Sequence, residues 1–385
     1  MDKGLELTKN GGCLSLIVPS AFLFQPRYID IRRLLRQYTI QYIWNVGDKV
    51  FASKVVAPAC IFQVRKQQGK PATIVRVFDT AETQDNLIRG KLSRSPQYRE
   101  LAQSIYSNTT EEAYVTFWRP LRPNERPLDS VLECKDCGIK HQRVGCGMEQ
   151  KGKSDLALRL YYEGVRQSPH DHLYLTGSDL DTDGWSVSYP KRRYFRGEFK
   201  NLLRKNEIVY FNEEVFDLPE KIVWRQTSDH IRAAIIGQHW FGNTLQAGIP
   251  RTQDYDLHYL LALLNSRFLN FVYRETTKES GRIFPQVKMG KVRALPFRII
   301  DFSRAQDKAA YEEIIRLAKA MVSLHKQRAS AKEDQAGVAI RRQIEATNRE
   351  LNRFVYKLYD LDKSEIAAVE TSLSRAPDAS AGPTQ

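Results

Sequence analysis

The densest run of cations in the chain is residues 190–205, PKRRYFRGEFKNLLRK. Lys191, Arg192, Arg193, Arg196, Lys200, Arg204 and Lys205 stand against one acid, Glu198, with Tyr194, Phe195 and Phe199 interleaved. Cations for phosphates, with rings between them, suit the wall of a nucleic-acid groove. The same composition fits a solvated helix face whose rings turn to the core, although phosphate contacts need only exposed cations. A second segment, 221–227, reads KIVWRQT and ends an apolar strand in a donor-rich tip. Arg225 and Gln226 are the side chains that contact guanine and adenine bidentately in the major groove, and Thr227 completes the tip. A salt-bridged Arg beside a core Trp explains that segment equally well.

Cys134-x2-Cys137-x3-His141-x4-Cys146 offers three thiols and an imidazole, the donor set of a tetrahedral zinc site. The spacing is one residue short of the zinc-knuckle pattern and no second cluster accompanies it, so zinc is not expected. Hydrolytic machinery is absent: there is no GxSxG elbow, no HExxH and no GxxxxGK[ST] loop. His230, His239 and His258 sit in or beside amphipathic segments and read as structural.

The elements that must hold these residues follow from periodicity. Residues 13–19 form a short apolar run behind Gly11-Gly12, a buried strand entered through a tight turn. A helix follows with Tyr28, Ile31, Leu34, Leu35 and Tyr38 on one face and Arg27, Arg32, Arg33 and Arg36 off it. Segments 40–46 and 57–64 read as further strands, and 73–78 as an edge strand. Three prolines within 119–129 mark a boundary. Beyond it, 221–226 and 231–236 read as strands, 257–272 as an amphipathic helix, and 281–298 as irregular and basic. From Ala309 the spacing is helical through His325. After a polar break at 329–337 it resumes from Ile340 to Leu358, which predicts an antiparallel hairpin. Asp362 with Glu365 forms a capping box for a last short helix, and the end of the chain reads as a disordered tail.

Length and composition narrow the classes. The 385 residues leave room for about two or three domains. With 42% hydrophobic residues a packed core is available. No stretch approaches the roughly 18 apolar residues of a membrane helix, the N-terminus is not a secretory signal, and five cysteines do not make a disulfide framework. A soluble, reduced, cytoplasmic protein with no membrane partner is expected. Of the formal charge of +14, residues 1–130 contribute +7 and residues 131–300 contribute +6, leaving +1 for the remainder. A basic field confined to the first two thirds points to a polyanion, most commonly nucleic acid.

These pieces, in this order, resemble the Taq-type adenine-specific DNA methyltransferases and the larger type IIG restriction–modification enzymes. GGCLSLIVPSAFLFQPRYIDIRRLL is similar to the strand and helix after their catalytic motif, and GDKVFASKVVAPACIFQV to their closing hairpin. HLYLTGSDL, KIVWRQTSD, YLLALLNSRFLNFVYRE and GRIFPQVKMGKVRALPF resemble successive parts of the C-terminal target recognition domain. IEATNRELNRFVYKLYDLDKSEI resembles the helical ending of type IIG chains. The likeness runs from about residue 4 to 370, and GRIFPQVK with the preceding LLNSR is its most specific part. One departure is decisive. The family holds its target amine with a Pro-Pro motif, and none of the 16 prolines here adjoins another. Nor does a Gly-rich turn follow an apolar strand, as an S-adenosylmethionine site needs, since Gly11-Gly12 precede theirs.

The resemblance therefore implies an α/β chain in three parts. Residues 1–118 would be the C-terminal remainder of a Rossmann-like methyltransferase sheet, 130–300 a mixed α/β target recognition domain, and 305–370 a helical hairpin, before a tail at 371–385. The implied partner is double-stranded DNA, with a separate N-terminal catalytic half or subunit. S-adenosylmethionine would serve the complete enzyme and would not be bound by this chain, which alone is expected to be inactive. The resemblance places Phe51 against a displaced adenine, where a core ring on a hairpin fits as well. Lys191, Arg192, Arg193, Arg282, Lys288 and Lys291 are the expected phosphate cations, and Arg225, Gln226 and Thr227 the expected base contacts. Two alternatives remain: a stand-alone specificity subunit that docks a catalytic one, or a truncated fragment without function.

Overall fold

The computed structural model describes residues 1–23, 25–47, 59–78, 98–107, 121–144, 155–189, 191–277, 285–331 and 335–374. Its mixed α/β chain divides into two compact units, Met1–Pro123 and Asn124–Gln385. The first contains helices α1 (Asp2–Leu7) and α2 (Ile29–Arg36). Its five strands are β1 (Cys13–Pro19), β2 (Tyr38–Gly47), β3 (Ala59–Gln68), β4 (Ile74–Phe78) and β5 (Tyr98–Ala102). They form one sheet in the order β1-β3-β2-β4-β5, parallel only between β2 and β4. Gly11 supplies the turn before β1 at φ 75°, and its amide meets the Lys66 carbonyl at 2.8 Å. A side chain would be strained in that left-handed conformation.

Two expectations are corrected in this unit. Segment 73–78 is not an edge, because β5 pairs along β4. Arg32 is not on a solvated face: it is fully buried, and its guanidinium donates to the Phe22 and Gln25 carbonyls at 2.8 and 2.9 Å. A buried cation is tolerated where its donors are met, and one turn of chain supplies both carbonyls.

The second unit opens with β6 (Glu125–Pro127), β7 (Leu132–Lys135), β8 (Lys140–Arg143), α3 (Leu156–Leu160), β9 (Tyr161–Glu163), β10 (His172–Leu175) and β11 (Arg193–Phe195). It continues through β12 (Glu207–Tyr210), α4 (Glu213–Phe216), β13 (Lys221–Arg225), β14 (Ala233–Ile236), β15 (Trp240–Phe241) and β16 (Leu245–Pro250). Then come α5 (Leu257–Asn265), α6 (Arg267–Thr277), α7 (Met289–Arg293), β17 (Pro296–Arg298), α8 (Ala305–Ser330), α9 (Gln335–Leu358) and α10 (Lys363–Ser374). Two four-stranded sheets, β14-β13-β16-β7 and β15-β10-β11-β9, enclose the core; β8-β12 and β6-β17 make two-stranded ladders.

The central strand β13 buries Ile222, Val223 and Trp224 completely, and α5 packs over β13 and β14. The helix expected over 257–272 is two helices. Ser266 is extended (ψ 149°), and its hydroxyl donates to the Leu263 carbonyl at 2.7 Å while accepting the Leu269 amide at 3.2 Å. One side chain thus ends α5 and starts α6. The long helices α8 and α9 pack on each other. At the end of α9, Asp360 takes φ 49° while the Leu361 amide reaches the Tyr356 carbonyl. That is a Schellman closure. The Asp362–Glu365 capping box is complete: each side chain accepts the other's amide at 2.8 Å. The tail expected over 371–385 is corrected at its start, where residues 371–374 belong to α10, and from 375 onward it lies outside the described residues. No described helix is long and apolar enough to cross a membrane.

Candidate nucleic-acid interface

As β13 leaves its sheet at Arg225, the chain is taken up by a segment sixty residues later. The Gln226 amide donates to the Thr244 carbonyl at 2.9 Å, the Gln226 carbonyl accepts the Val287 amide at 2.7 Å, and Thr227 pairs with Gln286. Tyr273 on α6 fixes the other side, its hydroxyl donating to the Gln286 carbonyl at 3.3 Å and accepting the Lys288 amide at 2.9 Å. Beneath, Trp224 donates to the Gln246 side chain at 2.8 Å, which itself reaches the Val287 carbonyl. The result is a polar lip on an apolar floor, with Thr227, Gln286 and Lys288 exposed and Gln226 half-buried. Lys291 is half-buried on α7 nearby in sequence. Arg282 and Phe51 lie outside the described residues.

Arg225 behaves differently from its neighbours. It is half-buried, its guanidinium donates to the Leu180 carbonyl, and burial lowers its pKa. Beyond Thr227 runs a charge network. The Asp229 carboxylate meets His230 at 2.6 Å and Arg274 at 3.1 Å, and Arg232 donates to the far side of the His230 ring at 3.0 Å. Burial alone would raise the Asp229 pKa, but the His230 hydrogen bond and the charges of Arg274 and Arg232 hold it well below the usual carboxylate range. For His230 burial dominates and lowers the pKa.

The helix pair locks this region through side-chain amides. Asn265 accepts the Ala233 amide at 2.8 Å and donates to its carbonyl at 2.9 Å, so it pairs with the backbone at the start of β14 as another strand would. Asn270 accepts the Ile231 amide at 2.8 Å and donates to the Leu264 and Ser266 carbonyls. The half-buried Asn265 and the buried Asn270 give the LLNSRFLN segment its function: they fix α5 and α6 to β14 and the residues just before it, and β14 pairs with β13, the strand that leads into the lip.

The basic segment 190–205 is not a helix. It is β11 followed by a 3-10 turn over Phe199–Leu202. Its rings are not available for stacking on bases, because Tyr194, Phe195 and Phe199 are buried, Tyr194 against Tyr162 at 5.4 Å and Phe195 against Trp240 at 5.3 Å. Arg196 donates to the Gln167 side chain at 2.9 Å, and the other six cations divide into two groups. Arg193 is mostly covered and holds Thr176 at 2.8 Å, Glu163 at 3.4 Å and Asp179 at 3.5 Å. Lys191 lies 3.7 Å from Glu163, and Arg204 3.0 Å from Asp155. Arg192, Lys200 and Lys205 are exposed and form no ion pair among the described residues.

Residues 172–297 match the family model of the TaqI-like C-terminal specificity domain. This span holds the lip, the Asn265–Asn270 clamp and the cations of 191–193, and over it the sequence resemblance is borne out. Among solved structures, the type IIL restriction–modification enzyme MmeI, determined in complex with DNA, covers 95% of this chain at 12% identity with a TM-score of 0.51. The type IIG restriction endonuclease BpuSI covers 91% at 12% identity, with a TM-score of 0.28. The chain spans about half of each, 49% and 48% respectively. No curated protein matches the sequence.

Outside the lip, three members of the thiol–imidazole set lie among the described residues. Cys134 is buried on β7 and Cys137 is half-buried, and burial pushes the two thiols up to about 12 and about 11. His141 faces the Tyr161 hydroxyl at 3.3 Å, and Cys146 lies outside the described residues. A different trio, Asp181, Asp183 and His325, brings ligand atoms within 4.8 Å of one another. Arg328 already fills it, 2.5 Å from Asp181 and 2.9 Å from Asp183, while His325, fully buried on α8, meets Asp181 at 2.9 Å. It is an ion-pair node that ties α8 to the turn before Trp185. Sequence reasoning also missed Lys221, which is fully buried and donates to the Phe216, Leu218 and Gly237 carbonyls at 3.2, 3.3 and 2.8 Å. Its place at the head of an apolar run was the only available sign.

Proposed function

We propose that this chain is the DNA sequence-recognition module of an adenine-N6 DNA methyltransferase of a restriction–modification system. The observation that carries the reading is the lip, where donors and acceptors of two distant segments are fixed side by side on a rigid floor within the span that matches a specificity domain. Gln226 and Thr227 are the base contacts this geometry favours, since Arg225 would have to release the Leu180 carbonyl to reach a base. Arg192, Lys191, Lys288 and Lys291, with Arg282 outside the described residues, are the positioning cations. Arg193 acts chiefly inside the fold. Phe51 remains the proposed stacking ring for a displaced adenine.

The first unit fits the closing part of a Rossmann-like methyltransferase sheet. Support comes from β3, which inserts between β1 and β2 antiparallel to both, and from β1, whose outer edge has no partner among the described residues. A preceding strand of a catalytic half would cover that edge. Support for placing the S-adenosylmethionine site outside this chain comes from β1, which runs into a 3-10 turn of Ser20–Leu23 that contains no glycine. Cofactor and catalytic motif would come from a separate half or subunit. Enrichment from random duplex DNA across a salt series tests the reading: one short motif should be enriched, with affinity falling steeply as salt rises. Binding that enriches no motif would overturn it.

A further inference from the structure

Helix α9 carries a face that none of these roles uses. Counting at 100° per residue, Arg342, Ala346, Arg349, Arg353 and Lys357 fall within an arc of about 80° along its length. All five are exposed. Arg342, Arg349 and Lys357 form no ion pair among the described residues, and Arg353, its side chain 76% exposed, lies 3.9 Å from Glu350. The acids of the helix, Glu345 and Glu350, flank the stripe, and Asp360 comes only after the helix ends. The opposite face, through Ile344, Leu351 and Val355, is buried.

We propose that this stripe grips the sugar–phosphate backbone of duplex DNA, independently of sequence, as a second contact region outside the specificity domain. The proposal rests on the reading that the chain binds DNA. Four cations over 15 residues span roughly 22 Å, the length of roughly six base pairs. Phosphate contacts ask for exposed cations, and three of these four are also unpaired among the described residues. A protein partner would instead require a desolvated apolar or aromatic centre, and within the arc from Arg342 to Lys357 the sole apolar side chain is that of Ala346. The stripe has the chemistry of a backbone contact and lacks that of a protein interface.

The test compares the full chain with its R342A/R349A/R353A/K357A variant, titrated with the enriched duplex and with random duplex at several salt concentrations. The expected result is a salt slope smaller by about 3 to 4 units, equal weakening on both duplexes, and an unchanged melting temperature. A second variant, R342K/R349K/R353K, keeps the charges and should bind as the parent does. If the parent binds DNA and the alanine variant matches it in slope and affinity, the stripe is left to an acidic protein surface and the proposal falls while the recognition reading stands. Weakening confined to the enriched duplex would also overturn it. A parent that binds no DNA would overturn both.

Discussion

Neighbouring cations of one sequence run have separate fates here, and the difference is measurable. Arg192 is exposed and unpaired among the described residues, so Arg192→Ala should weaken binding to all duplexes alike, lower the salt slope by about one unit and leave stability unchanged. Arg193 is engaged with Thr176 and with Asp179, whose side chain is only 2% exposed. Arg193→Ala should therefore cost roughly 2 kcal/mol of stability in chemical denaturation, because a buried carboxylate loses a charge-assisted partner. Equal effects of the two substitutions on DNA binding and on stability would refute the division. At the lip, Gln226→Ala should relax discrimination at one base position by about 1–3 kcal/mol and change the salt slope little, as read by competition between single-base variants of the enriched site. Uniform weakening across those variants would reassign Gln226 to backbone contact.

Elements are joined in this molecule by a few polar side chains, and the Asp181 node is the clearest case. Burial raises the Asp181 pKa, but the His325 hydrogen bond and the Arg328 charge pull it from 3.8 down to about 2. The folded pKa lies below the unfolded one, so the carboxylate's stabilisation is complete above about pH 4 and is lost as pH falls through about 2. That window is worth about 2 kcal/mol. Denaturation curves at about pH 5 and about pH 2.5 should show Asp181→Asn already weakened at the higher pH and losing less than the parent between the two. A parallel loss in both proteins would remove Asp181 from the node. The Asn265 clamp predicts a similar dependence of one element on another. Asn265→Ala leaves the Ala233 amide and carbonyl without their side-chain partner and should destabilise by about 2 kcal/mol, with faster hydrogen exchange at the start of β14.

At the scale of the whole chain, the lip, the basic segment and the α9 stripe all belong to the unit Asn124–Gln385. Residues 124–385 expressed alone should therefore keep the sequence preference and the salt slope of the full chain; loss of the preferred motif would place part of the reading surface in the first unit. The strands at 13–19 and 221–225, both long helices and the Asp362–Glu365 box were legible in the sequence, because apolar periodicity and capping are local signals. Less was legible where the signal is an interaction with distant chain. Arg32 and Lys221 carry charges that no local pattern would bury, and only carbonyls brought to them by the fold make their burial tolerable. The rings of 194–199 looked free to stack because composition does not say which side of a strand faces a core. The sequence by itself determined the basic surface, the order of the elements and the missing Pro-Pro motif, all properties of residues read in turn. Only the tertiary structure decided that Gln226 and Gln286 share one lip and that Arg193 is spent inside the fold, because a hydrogen-bonded pair sixty residues apart exists only once the chain has closed on itself.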